Sequence, residues 1–266
     1  MTTIHAQTIS IECKTAQAEA ASRVKSKTSF RFEAHLIDIV FANMNVFLPR
    51  EKEIVASKEV EIGAGRVDIV LAAPNMDQLI AGFESRDFSK QQVVGKPAVI
   101  LNKLFYERPL KTLTIGKKAG LDIKSTRIIL DELTTMGLVH QYSSETFVRT
   151  LLSRQFNKVV SIEGKLSNWQ NALAQAYRNK LFSMYSYVVM DAKHVAPALK
   201  GIARFQSLGV GLAVASADTK KVSIIYRPSQ AKPISSVYYW LATEVLRSKI
   251  KSRQNVFLSK GLVNVL

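Results

Sequence analysis

The sequence predicts a mixed α/β fold with a helical segment inserted into it, and three observations carry that prediction. From Lys158 onward, β-branched apolar runs alternate with segments of helical spacing. Ahead of Pro74, two strand-like runs flank Gly63-Ala64-Gly65. Between these regions, residues 90–155 read as helices closed by a hairpin.

Composition narrows the function. The chain has 266 residues, 47% apolar and 22% charged, as expected of a globular protein with a substantial core. Its net charge of +16 points to a polyanionic partner, with nucleic acid ahead of a membrane surface. The single cysteine, Cys13, excludes an intramolecular disulfide and a cysteine zinc cluster. His5, His35, His140 and His194 are scattered and lack zinc-site spacing. The apolar runs are too short to span a bilayer, and the first 25 residues lack the apolar centre of a signal peptide. A cytoplasmic protein without a membrane partner is expected.

Residues 1–28 are small, polar and Ala-rich and are read as an N-terminal arm. Phe32, Leu36, Ile39, Val40 and Met44 recur at helical spacing, and Glu33 stands near the start, where the helix dipole favours a carboxylate. "EIVASKEVEI" and "RVDIVLA" are strands, the second almost wholly apolar apart from Asp68, and Pro74-Asn75 ends it. A helix is expected near Asp77–Phe83 and another over "PAVILNKLFYE". "TIGKKAGL", "DIKSTRIILDELTTMGLV" and "VHQYSSETFVRT" then give a short helix, a longer helix and a hairpin. "IGKKAGLDIKSTRIILDELTTMGLV" resembles the winged helix-turn-helix family, with the tight turn at Gly120–Asp122 and Ile123 or Ser125 opening its second helix. After Lys158 come a strand (158–164), a helix (167–181), the strand "YSYVVMD" and a helix near His194–Phe205. A strand pair around Asp218-Thr219 and a helix over "VYYWLATEVLRSKIKSR" complete the chain. The expected domains are thus a core of 29–75 and 158–266 with an insertion at 90–155.

One strand carries an unusual ending. Glu163 and Lys165 are two residues apart and share a face, so an apolar strand closes on an ion pair. Burial of such a pair brings little net stability. If the strand of Glu163 runs antiparallel beside that of Asp68, the two carboxylates sit at one height, with residues 75–157 as a long excursion from the shared turn. Clustered carboxylates repel unless a cation binds them, and hard oxygen ligands suit Mg²⁺ or Mn²⁺. The alternative reading is an exposed ion pair on an edge strand.

"GRVDIVLA" followed by "SIEGKLSNWQNALAQAY" resembles the PD-(D/E)XK nuclease superfamily, the restriction-endonuclease-like fold, over roughly 30–73 and 158–226. The resemblance implies metal binding by Asp68 and Glu163, assistance to water attack by Lys165, support of the metal by Glu33, and support of the site by Gln175, with Tyr177 nearby. It departs from the usual pattern in having Val67 before Asp68 and a whole domain between the motif strands. Two further acid-x-Lys triplets occur. Glu12–Lys14 has no upstream acid strand, and Asp191–Lys193 closes a strand at a loop.

The inserted segment holds more Lys and Arg than Asp and Glu. Lys117, Lys118, Lys124, Ser125, Thr126 and Arg127 surround the second and third helices, and Arg149 lies on the wing with His140 and Gln141. These seven basic and hydroxyl residues, Lys117 to Arg127 and Arg149, are the expected contacts to double-stranded DNA. A winged helix that mediates protein contacts is the competing reading. The run Arg247, Lys249, Lys251 and Arg253 suits the C-terminal dipole of its helix equally well. Trp169 and Trp240 are read as packing residues, and "EIGAGR" lacks the Lys-Ser/Thr of a phosphate loop. The expectation is a Mg²⁺- or Mn²⁺-dependent endonuclease on duplex DNA. The alternative is a non-enzymatic transcriptional regulator on the same fold, and a homodimer is compatible with either.

Overall fold

The computed structural model describes residues 26–63, 65–85, 93–252 and 256–258, so most of the expected arm, with Glu12–Lys14 and Arg253, lies outside the described residues. Helix α1 (Glu33–Ala42) buries Leu36, Ile37 and Val40 along one stripe and gives way to a 3-10 turn at Met44–Val46. Strands β1 (Val55–Ile62) and β2 (Gly65–Pro74) follow, with Gly63 between them at a φ of +62° that a side chain would strain. Helix α2 (Met76–Ser85) matches the expected one. Helix α3 (Lys96–Lys103) stops short of the expected end because Leu104 turns extended.

The two-residue strand β3 (Leu110–Lys111) carried no pattern in the sequence. Helices α4 (Thr112–Ala119) and α5 (Ile123–Thr135) then flank Gly120, which ends α4 in the left-handed conformation. Asp122 caps α5, its carboxylate accepting from Ser125 N at 2.8 Å and from Ser125 Oγ at 2.6 Å. Strands β4 (Val139–Ser143) and β5 (Thr146–Arg149) form the expected antiparallel hairpin, and β3 joins it in a three-stranded sheet of order β3-β5-β4.

Strand β6 (Phe156–Lys165), helix α6 (Trp169–Asn179) and strand β7 (Tyr185–Asp191) make a parallel βαβ unit. The helix expected near His194–Phe205 is two helices, α7 (Ala196–Lys200) and α8 (Ile202–Leu208). They part at Gly201, where the Trp169 ring fills the space; a Cβ there would lie 2.6 Å from the indole. Strand β8 (Gly211–Ala215) is parallel to β7, and β9 (Val222–Tyr226) returns antiparallel. Helix α9 (Ser236–Ser252) leads to β10 (Val256–Leu258), which pairs antiparallel with β1. The main sheet is mixed, with strand order β10-β1-β2-β6-β7-β8-β9.

The chain forms two compact units. The first comprises residues 1–51, 67–71 and 160–232, the second 52–66, 72–159 and 233–266. In the first, Val188, Met190, Leu212 and Val214 alternate along β7 and β8 onto one face, where α6 adds Trp169, Ala172, Leu173 and Ala176. Their neighbours Tyr187, Val189 and Ala213 are buried on the other face, as strands covered on both sides require. In the second, Ile100, Leu101, Ile115, Leu130, Leu133 and Phe147 pack together with Trp240 of α9. This departs from the expected division at 158: α9 belongs with the helical segment because Trp240 is buried there, and the Arg149 guanidinium lies 5.2 Å from its ring. No helix among the described residues is long and apolar enough to cross a membrane.

Candidate functional site

Strands β2 and β6 are neighbours in the sheet. Asn75 N donates to Gln155 O at 2.8 Å, while Gly164 N donates to Asp68 Oδ2 at 2.8 Å. Residue numbers rise along one strand as they fall along the other, so the strands are antiparallel, and the acids 68 and 163 reach the same height. All the residues of the site lie in the first unit.

Glu163 pairs in register with Val188 and Lys165 with Met190, so both face α6. Glu163 is only 2% exposed, and the Asp68 carboxylate is within hydrogen-bonding reach of it. Burial first, and the Asp68 charge second, push the Glu163 carboxyl up to about 8, against the opposing Asn179 hydrogen bond and Lys165 ammonium. Glu163 therefore holds its proton well above the ordinary carboxylate range.

Lys165 Nζ donates to Glu33 Oε2 at 2.8 Å, which makes Glu33 the partner of the lysine rather than a third member of the carboxylate pair. Burial works to lower the Lys165 pKa, but the Glu33 hydrogen bond and the charges of Asp68, Glu33 and Glu163 outweigh it and raise it above the ordinary lysine value. The side chain is thus a fixed ammonium. Gly164, between the two motif residues, lets α1 approach from the opposite face: a Cβ there would stand 2.5 Å from Ile37 Cδ1 and 2.8 Å from Leu36 Cδ2.

Helix α6 supplies the rest. Gln175, the expected supporting amide, carries a buried Oε1 without a hydrogen-bond partner. One turn on, Asn179 Nδ2 donates to Glu163 Oε1 at 2.6 Å. The sequence reading missed Asn179, although its i,i+4 spacing from Gln175 on an amphipathic helix is a usable signal. Tyr177 is exposed, with Lys180 Nζ 5.7 Å from its ring. The competing triplet Asp191–Lys193 does other work: Asp191 is buried and accepts from Phe30 N at 3.1 Å, Lys193 N at 3.0 Å and Ser29 Oγ.

The donor set fits a hard divalent cation. Two carboxylates converge, and the Asp68 charge disfavours ionisation of buried Glu163; Mg²⁺ is commonly held by one or two carboxylates while keeping several waters. Among the described residues no group of three or more His, Cys, Asp or Glu side chains joins them.

The expected DNA contacts of the second unit divide in two. Lys117, Lys118 and Lys124 are exposed around α4 and α5. Ser125 is tied to Asp122 as part of the cap. Thr126 is fully buried, its Oγ1 donating to Asp122 O at 2.7 Å and lying where a side chain on Gly116 would go. Arg127 NH1 donates to Ser144 O at 2.7 Å and NH2 pairs with Glu145, which fastens α5 to the hairpin tip. Arg149 is largely buried, with Nε donating to Ser153 Oγ at 2.6 Å and its guanidinium 4.8 Å from the Tyr106 ring. Thr126, Arg127 and Arg149 therefore hold the unit together, and the exposed cations among these seven residues are the three lysines. Arg247 of the C-terminal basic run is likewise buried, 3.4 Å from Glu244 Oε1.

Comparison with known protein families, curated proteins and solved structures gives no match for this chain.

Proposed function

We propose that the chain is a Mg²⁺-dependent endonuclease of the PD-(D/E)XK, restriction-endonuclease-like class that cuts double-stranded DNA and carries an inserted winged helix-turn-helix domain. The observation that carries this reading is the pair of buried Glu163 and half-buried Asp68 on adjacent antiparallel strands with the Lys165 ammonium beside it. A structural ion pair does not need a second acid that raises the proton affinity of the first, whereas converging carboxylates suit a bound cation. The order of α3, α4, α5 and the β4–β5 hairpin, with the turn at Gly120–Asp122, supports the winged-helix part, and Lys117, Lys118 and Lys124 suit phosphate contacts.

Asp68 and Glu163 would hold the ion, Mg²⁺ or Mn²⁺. Bound there, it would supply charge neutralisation at the phosphate and a more acidic water. In hydrolysis, a water oxygen bonds to phosphorus and one phosphorus–oxygen ester bond breaks. Lys165, kept protonated by Glu33, acts as a hydrogen-bond donor and positive charge toward the phosphate rather than as a base. Glu33 orients that ammonium, and Gln175 offers a buried acceptor on the α6 side of the site.

The test is incubation of the protein with supercoiled plasmid, with and without Mg²⁺. Wild type is expected to nick or linearise it only with the ion, and Asp68→Ala and Lys165→Ala are expected to bind DNA without cutting. A wild type that binds DNA and never cuts would favour the second reading, a non-enzymatic DNA-binding regulator. That reading draws on Glu33, which engages Lys165 and leaves only two acids at the site.

A further inference from the structure

We propose that Asn179 is a positioning residue for the carboxylate pair: its side-chain amide holds one oxygen of Glu163 so that the other is presented beside Asp68 for a divalent cation. This rests on the nuclease reading and adds to it a residue that neither the motif strands nor the expected Gln175 contain.

The geometry is direct. Asn179 Nδ2 donates to Glu163 Oε1 at 2.6 Å, a short hydrogen bond. A carboxylate that is fixed through one oxygen keeps the lone pairs of the second for another partner. Beside it, the Asp68 carboxylate accepts from Gly164 N through Oδ2 at 2.8 Å. Both donors are neutral. Lys or Arg in either place would cancel the negative charge that attracts a cation, whereas an amide fixes the orientation and leaves that charge in place.

The donor is itself anchored. Asn179 closes α6, and its carbonyl accepts from Ser183 N at 3.0 Å and from Ser183 Oγ at 2.8 Å. Ser183 Oγ lies 2.9 Å from Ser161 Oγ, and both hydroxyls are buried. Ser161 and Glu163 are two apart on β6 and share the face under α6. Asn179 is thus tied to one strand face at two points, through its backbone to Ser161 and through its amide to Glu163. Such an arrangement limits the rotamers of the amide before any ion arrives.

The test measures Mn²⁺ binding to the full chain without DNA, by titrating the free-ion electron paramagnetic resonance signal. Asn179→Leu, branched at the same carbon but without a donor, and Asn179→Ala are each expected to weaken Mn²⁺ binding about tenfold. Affinity for duplex DNA in the absence of divalent ions should not change. In a Glu163→Gln background, Asn179→Leu is expected to change Mn²⁺ affinity by less than about twofold, because the two residues act as one unit. Wild-type Mn²⁺ affinity in folded Asn179→Leu or Asn179→Ala protein would overturn the positioning role and leave the nuclease reading standing. A tenfold loss that persists in the Glu163→Gln background would overturn it as well. Absence of Mn²⁺ binding by wild type would overturn both.

Discussion

Glu163 carries a pH signature that can be read without any substrate. Its carboxyl is held up to about 8 in the folded chain against an ordinary 4.5. Between those values the folded state keeps a proton that the unfolded chain has released, so stability is highest below the lower value and falls as pH rises toward 8. Differential scanning calorimetry should show a melting temperature that drops from pH 5 to pH 8 by on the order of 5 °C more in wild type than in Glu163→Gln. Mg²⁺ should flatten the wild-type slope by displacing the Glu163 proton. On the nuclease reading, Lys165 makes the complementary case for catalysis. Loss of a fixed cation aimed at developing charge costs about 10²–10³-fold, so Lys165→Ala should slow single-turnover cleavage by that factor while DNA affinity stays within a few-fold. Asp68, Glu163 and Lys165 were legible in the sequence because strands impose a two-residue period, which fixes the face of every side chain once one is known. Asn179 was not, because a polar residue at the end of a helix reads first as a cap.

At the scale of elements, the approach of α1 to β6 is set by the absence of a side chain at Gly164. Gly164→Ala would drive a methyl into Ile37 and Leu36, so it should destabilise the fold by about 1–3 kcal/mol in chemical denaturation. It should also lower activity by moving Glu33 away from Lys165. Gly116 has a similar part in the second unit: a Cβ there would meet Thr126 Oγ1 at 2.8 Å and Leu121 O at 3.0 Å, which holds α4 tightly on α5. The sequence revealed the helices and the hairpin of this unit through period and capping, with Gly120 and Asp122 placing the turn within a residue. It did not reveal that Arg127 fastens α5 to the hairpin tip or that Arg149 faces inward. A guanidinium looks the same in sequence whether it meets a phosphate or stacks on Tyr106 and Trp240, and only the fold brings those rings near. Strand β3 was too short for its period to be seen, and the break of α7 from α8 depends on where Trp169 lands.

For the molecule as a whole, the net charge of +16 sets an expectation about salt. Duplex affinity measured by fluorescence anisotropy should fall steeply between 50 and 200 mM salt, roughly one unit of logarithmic slope for each phosphate neutralised. Replacing Lys117, Lys118 and Lys124 together by Ala should reduce that slope by about three, whereas Arg127→Ala should mainly lower the melting temperature. The α/β class was legible because alternation of periods survives over long stretches. The allotment of α9 to the helical unit was not, since Trp240 carries no sign in sequence of which core it enters.

Asp68 and the Gly164 amide that grips it are 96 positions apart, and the intervening chain builds much of another folded unit. During synthesis, a nascent polypeptide that has emerged only through the hairpin holds one acid and neither its mate nor the ammonium. At about 5–20 residues per second, translation of the insert imposes a delay of about 5–20 s before Asp68 can meet Glu163 and Lys165. On the nuclease reading, competence to cut is thereby tied to completion of the inserted unit, and truncated products of interrupted translation lack the Glu163–Lys165 half of the site.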